Sequence, residues 1–342
     1  MPSVDVLVGL QWGSEGKGRV AAAIAGRYQA AVRVGGPNAG HTVWYQGKRY
    51  INRSIPCAWV NPNCALYIGA GAAIDFKILD TEITDIGIDR SRLLIDRNAV
   101  MINVNDIERE SALAPISSTQ HGVGAAHARK IGRQVGHAIT AGQQDWTYHN
   151  QRIGDVAAGL HATSGRILVE GTQGALLAID HGDYPYVTSR NPIAASLLGD
   201  CGLPPRAERV IGVARTYPIR VGGPSGPMGT EISWAEVARR AGLPPGLEER
   251  TTVTNKVRRV AELDYQRLAY AARLNGVTDL VVTFADYLDS SIRNRSITRI
   301  NQLCVEYPAV YAVARRMADA CDASLSGITW GPTAEHAVLD WL

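Results

Sequence analysis

The sequence predicts an α/β fold. One large domain, residues 1–342, is expected on a central, mostly parallel sheet flanked by helices, with a P-loop-like phosphate-binding loop after the first strand. Three observations predict it. Short β-branched runs alternate with helix-forming segments, the pattern of a parallel sheet covered on both faces. The first run, Val4 to Val8, leads directly into Gly9 to Gly18, GLQWGSEGKG, and then into an Ala-rich segment from Arg19 to Tyr28 with helical character. No internal repeat, low-complexity tract or linker interrupts the alternation.

The glycines of the first loop let backbone N–H groups approach phosphate oxygens. The helix after it adds its positive end, and Lys17 adds a point charge. The spacing departs from G-x-x-x-x-G-K-[ST], because residue 11 is Gln and Gly18 comes after the lysine. By itself the loop therefore reads either as a nucleotide site or as a plain strand-to-helix turn. Further strands are expected at Ala31 to Val34, Ala65 to Ile68, Leu93 to Ile95, Arg166 to Val169, Val210 to Arg215, Asp279 to Thr283 and Leu325 to Thr329. Gly69-Ala70-Gly71 lacks the third glycine and the acidic residue of a dinucleotide fingerprint, so it reads as a tight turn. Val221 to Gly229, rich in Gly and Pro, reads as a loop because the sheet pattern resumes after it. Ser233-Trp234-Ala235-Glu236 is a capping box, and Gly242 with Pro244 closes the helix it opens. Tyr265 to Asn275 reads as a helix stopped by Gly276, and Tyr307 to Cys321 as another.

At 342 residues the chain has ample length for a buried core, and 46% apolar with 20% charged residues excludes general disorder. A net charge of +3, with basic residues scattered, predicts no nucleic-acid partner. Five cysteines (Cys57, Cys64, Cys201, Cys304 and Cys321) form no C-x-x-C pair and are odd in number. Buried thiols in a reducing compartment are expected, not a disulfide framework or a zinc site. No apolar run approaches 18 residues, so no membrane association and a cytoplasmic location are expected.

After the loop GSEGKG comes, at the right distance, Asn38-Ala39-Gly40-His41-Thr42. Glu170-Gly171-Thr172-Gln173-Gly174-Ala175-Leu176-Leu177 and Ile179 to Ser189 (IDHGDYPYVTS) come later. Together these resemble the adenylosuccinate synthetases closely, from the first strand to Gly331-Pro332. Members of that family phosphorylate O6 of a purine monophosphate with a nucleoside triphosphate, and the amino group of aspartate then displaces the phosphate. The resemblance implies that Lys17 and His41 meet the transferred phosphate and the charge developing on O6, a role of positioning and electrostatics. It makes Mg²⁺ the cofactor, with the Gly40 carbonyl and residue 14 as ligands. It assigns Gly16, Gly18 and Thr42 to the triphosphate, and Gln173 to the nucleotide junction beside the reacting oxygen.

Residue 14 is the main departure. The usual loop is GDEGKG, whose aspartate removes the purine N1 proton and helps hold magnesium, whereas this chain has Ser14. A hydroxyl is no general base comparable to a carboxylate at neutral pH. A serine does open room beside C2, where guanine carries an amino group. Among the family's relatives, the phage enzymes that make 2-aminoadenylosuccinate from dGMP look like this at that position. Ser118-Thr119-Gln120-His121-Gly122-Val123-Gly124 resembles the family's TTGRGIG, which implies monophosphate contacts from Ser118 and Thr119, completed by Asn38 and Thr188. Arg133 matches the arginine that reaches the neighbouring active site, implying a homodimer.

Thr251 to Arg259 (TTVTNKVRR) stands where the family binds aspartate. There Arg258 would grip a carboxylate with two hydrogen bonds, and Thr252, Val253 and Thr254 would contribute further contacts. Lys256 replaces an arginine that touches the ribose 2′-hydroxyl, which fits a 2′-deoxyribose. Thr283-Phe284-Ala285-Asp286 replaces the guanine-reading Thr-Lys-Leu-Asp, and Trp330 precedes Gly331 where a small Thr is usual. Aromatic residues offer stacking instead of hydrogen bonds, so an adenine donor, ATP or dATP, is expected. The expected reaction joins dGMP to L-aspartate. The alternatives are an ordinary synthetase acting on IMP with GTP, and an inactive nucleotide-binding regulatory protein.

Overall fold

Val4, Val6 and Val8 point to one face of their strand and Leu7 to the other, and both faces are buried. A strand apolar on both faces has to lie inside a sheet covered by helices on each side. The computed structural model describes residues 2–112, 119–133, 139–143, 151–251 and 255–340. Its main sheet has ten strands: β1 (Ser3–Gly9), β2 (Ala30–Val34), β3 (Ala65–Ile68), β4 (Leu93–Asp96), β5 (Arg152–Gly154), β6 (Arg166–Gly171), β7 (Arg209–Arg215), β8 (Asp279–Thr283), β9 (Ser324–Thr329) and β10 (Ala337–Leu339). Their spatial order is β10-β9-β8-β7-β1-β6-β2-β3-β4-β5. Every pairing is parallel except β9 with β10. The eight strands expected from sequence are all present, each within two residues of its expected ends.

The two core clusters correspond to the two faces. Val6, Val169 and Val282 pack under the helices Ala194–Asp200, Tyr265–Asn275 and Pro308–Ala320. Leu7, Leu168 and Ile211 pack under the helices Lys17–Ile24 and Phe76–Ile86. Local chemistry sets the helix ends as expected. Ser233 accepts a hydrogen bond from the Glu236 N–H, and Asp264 accepts from Gln266 and Arg267, each a side-chain cap for orphan donors. Gly242 and Gly276 close those helices with positive φ. The first helix differs from expectation: it starts at Lys17 and ends at Ile24, with a 3₁₀ turn over Ala25–Arg27.

Among the elements that went unread in the sequence are two short strands, a ribbon and a small second sheet. β5 and β10 have three residues each, too short for a periodic signal. A ribbon pairs His41–Tyr45 with Lys48–Asn52 around Gln46-Gly47, both at positive φ, the turn such a hairpin needs. A small three-stranded antiparallel sheet (Ile219–Arg220, Arg259–Ala261 and Glu231–Ile232) carries the helix Trp234–Ala241.

β1 lies between β6 and β7, and the chain runs from β1 to β2 on one side and returns to β7 on the other. In open α/β sheets such a reversal leaves a crevice at the carboxyl ends of the strands. Leu168, fully buried in β6, supports the first helix from below. Leu168→Ala is expected to cost about 2–5 kcal/mol of stability, measured by denaturant unfolding.

Candidate active site

Segments at the carboxyl ends of β1, β2, β6, β7, β8 and β9 line the crevice. In the first loop, Gly13 and Gly16 have φ of +97° and +88°, which a side chain would strain. The loop folds around its own carboxylate. Glu15 Oε1 accepts from the N–H groups of Gln11 and Gly13 at 3.1 and 2.7 Å, and Oε2 accepts from Lys17 Nζ at 2.6 Å. Both charged side chains are fully buried. Gly16 caps the helix without any side-chain hydrogen bond, leaving its first N–H groups for an anion.

His41 opens the ribbon, 5% exposed, and its Nδ1 lies 2.6 Å from Glu170 Oε1. Glu170, in β6, also accepts from Arg33 of β2 and from the Cys57 N–H. Burial alone would raise the Glu170 carboxyl, but Arg33, His41 and the Cys57 N–H outweigh it and hold it at about 2. Burial, and then the Arg33 guanidinium, depress His41 to about 3 against the pull of Glu170. At neutral pH the ring is therefore neutral, and Nε2 is buried without a partner among the described residues. A phosphate arriving there would draw a proton onto Nε2. Gly18 makes this approach feasible, since a Cβ on it would lie 2.5 Å from His41 Cβ.

Two cavities meet over the loop. The first, about 400 Å³, is lined by Asn38, Thr119, Gln173, Thr188 and Lys256, to which the sequence assigns three different ligands. The second, about 390 Å³, is lined by Gly16, Lys17, Gly18, His41, Thr42, Phe284, Asp286 and Gly331. Gly13, Ser14, Gly40 and Arg258 line both. At this junction Ser14 Oγ accepts from Arg258 Nη1 at 2.7 Å, and the Ser14 carbonyl accepts from Arg215 at 3.3 Å.

Some expected residues lie elsewhere. Gln173 lines the first cavity and not the second. Trp330, expected as an aromatic surface near the donor base, is a correction: it is 0% exposed in the main core at the end of β9, and Thr329, Gly331 and Pro332 line the cavity instead. Arg133 is exposed and lines neither cavity of its own chain. Ser118, Thr252, Val253 and Thr254 lie outside the described residues.

Other residues were missed because nothing local marks them. Arg215, at the end of β7, is 1% exposed; it pairs with Glu249 and covers the Phe284 ring with its guanidinium carbon 3.8 Å from the centroid. Tyr287 donates to the same Glu249 at 2.9 Å. In the first cavity, Arg220 lies over Trp12, 5.4 Å from its centroid. Glu15 stands inside the first loop, and its spacing from Lys17 was the available signal.

Among the described residues, one trio could chelate a cation by proximity: His41, Cys57 and Glu170. Arg33 Nη1 already sits 2.7 Å from His41 Nδ1, so a cation there would be repelled. At the junction the oxygens suited to Mg²⁺ are the Gly40 carbonyl and Ser14, whose hydroxyl is engaged by Arg258. The Arg258 guanidinium would repel a cation from Ser14 in the same way, which leaves the Gly40 carbonyl for an ion that draws most of its ligands from phosphate and water. Among the described residues, no helix is long and apolar enough to cross a membrane.

Comparison with known proteins agrees with this geometry. A family model described as adenylosuccinate synthetase matches residues 6–152 and 147–314. Adenylosuccinate synthetase of Thermococcus sibiricus is 36% identical over 303 residues, covering 84% of this chain and 85% of that protein. The enzyme of Methanocaldococcus jannaschii is 35% identical over 312 residues, covering 87% and 86%. Among solved structures, succinoaminodeoxyadenylate synthetase of cyanophage S-2L, bound to dGMP and to dATP as an energy donor, is similar with a TM-score of 0.82. It is 28% identical, covering 99% of this chain and 96% of that one. Fully ligated adenylosuccinate synthetase of Plasmodium falciparum shares the fold, with a TM-score of 0.83 at 21% identity over 98% and 99% of the chains.

The depressed His41 gives a pH signature. Its folded value lies below the ordinary 6.5, so the unfolded chain takes up the proton first as pH falls. The His41 contribution to stability is complete above about 6.5 and is lost between there and about 3. His41→Asn is expected to flatten the decline of unfolding free energy across that window by up to ~1.4 kcal/mol per pH unit. Parallel slopes for parent and variant would refute the assignment.

Proposed function

We propose that this chain, which belongs to the adenylosuccinate synthetase family and is thus a nucleotide-driven ligase forming a carbon–nitrogen bond with aspartate, takes dGMP as its purine monophosphate and ATP or dATP as its donor. The γ-phosphoryl group passes to O6 of guanine as N1 gives up its proton, leaving ADP or dADP. The α-amino group of aspartate then attacks C6 and expels phosphate. The product is 2-amino-2′-deoxy-N6-succinyladenylate.

The observation that carries this reading is Ser14 at the junction of the two cavities, with its hydroxyl accepting from Arg258. A carboxylate there would crowd C2 and pair with Arg258, drawing it from the substrate aspartate. A neutral hydroxyl orients the guanidinium and leaves its charge for the substrate. The similarity to a cyanophage enzyme solved with dGMP and dATP supports the same assignment.

The remaining roles rest on charge and position. Lys17 leaves Glu15 for the transferred phosphate, and His41 Nε2 donates to it once protonated, so both act on charge that grows in the transition state. Mg²⁺, when bound, would offset negative charge on the transferring phosphoryl group. Gly40 offers its carbonyl to that ion. Asn38, Thr119, Thr188 and Ser118 hold the 5′-phosphate, joined by Arg133 of a second subunit in a homodimer. Arg258 and residues 252–254 hold aspartate, and Lys256 stands where the ribose edge lies.

The test is phosphate release with Mg²⁺ and aspartate, crossing dGMP, GMP and IMP against ATP, dATP and GTP. Turnover is expected with dGMP and an adenine donor; turnover confined to IMP with GTP would return the chain to the ordinary activity of its archaeal relatives. In the productive pair, Arg258→Ala is expected to raise KM for aspartate about 30-fold or more, the cost of an unpaired buried charge, with KM for dGMP little changed. Equal rises for both substrates would refute an aspartate-specific grip.

A further inference from the structure

From the second cavity we infer that Arg293, acting on Asp286, is the residue that selects the base of the phosphate donor; this rests on the adenine-donor reading above. The place of the family's lysine is filled by Phe284, whose ring is covered on one side by Arg215, so that position has stacking surface and no hydrogen to donate. Asp286 lines the cavity but is not free. Arg293 Nε lies 2.9 Å from Asp286 Oδ2, and Arg293 Nη2 lies 2.9 Å from the same oxygen. The Asp286 side chain is 9% exposed and that of Arg293 is 39% exposed, so the cavity meets mainly the guanidinium.

This changes which base edge fits. Guanine presents N1–H and N2–H side by side and needs both oxygens of a carboxylate. Here one oxygen is already shared between two guanidinium N–H groups. Adenine presents N1 as an acceptor beside the N6 amino group. Arg293 has further N–H groups with no hydrogen-bond partner among the described residues, and one of them suits N1. Asp286 Oδ1 suits the N6 amino group. The pair therefore offers one donor and one acceptor, the complement of adenine, and leaves the guanine N2–H without a partner.

The experiment measures kcat/KM for ATP, dATP and GTP at saturating dGMP and aspartate, in the parent, Arg293→Gln and Asp286→Asn. Both variants are expected to lower the ATP-to-GTP ratio about tenfold or more, the scale of one charge-assisted hydrogen bond. KM for dGMP and aspartate should stay put. An unchanged ratio with equal loss on all donors would make Arg293 a structural brace and overturn the inference. A greater loss on GTP than on ATP would also overturn it, since Arg293 would then be reading guanine O6 in the missing lysine's place. The parent separates the two levels. A parent with no adenine preference overturns the donor assignment and this inference together, whereas a preference that survives both substitutions overturns the inference alone.

Discussion

Positive charge held in a dry crevice is unstable without a counterion, and the site is built around that constraint. Three buried cations of the crevice have a carboxylate of the chain: Lys17 has Glu15, Arg33 has Glu170, and Arg215 has Glu249, whereas Arg220 is held by the carbonyls of Tyr186 and Pro227. These carboxylates come from the loop after β1, from β6 and from the segment after the helix Trp234–Ala241. They bind the elements of the crevice together. Glu170 serves twice, because it also lies 2.6 Å from His41 Nδ1 and fixes the ring at the second cavity.

The same constraint explains why the chemistry sits at one point. Gly13, Ser14, Gly40 and Arg258 line both cavities, so the two cavities join there. Arg258 reaches that point by hydrogen bonding to Ser14 across 244 residues of sequence. A neutral residue at position 14 orients the guanidinium without adding a negative charge beside it. In a low-dielectric site that difference in charge matters more than the loss of one carboxylate oxygen.

Much of the fold was legible because it rests on local patterns. Buried parallel strands appear as β-branched runs, and glycine spacing marks the loop after β1. Ser233, Gly242 and Gly276 mark helix ends through their own backbone chemistry. The short strands β5 and β10 were not legible, since three residues carry no period. Site residues within a motif, such as Lys17, His41, Thr188 and Arg258, could be named through resemblance and then found lining the crevice. Arg215, Glu249 and Arg293 belong to no motif and needed the structure. Trp330 shows the opposite case: a residue next to a motif, just past the end of β9, packs into the core cluster that continues from the buried end of that strand.

By itself the sequence determined the parallel sheet, the phosphate loop after its first strand and the substitution of Ser14 for a carboxylate. All of these are properties of adjacent residues. Only the tertiary structure decided which polar groups meet: His41 with Glu170, Arg258 with Ser14, Arg293 with Asp286. The physical reason is that ion pairing in a dry crevice depends on distances of a few ångströms between segments far apart in the chain. Periodicity and composition carry no record of those distances.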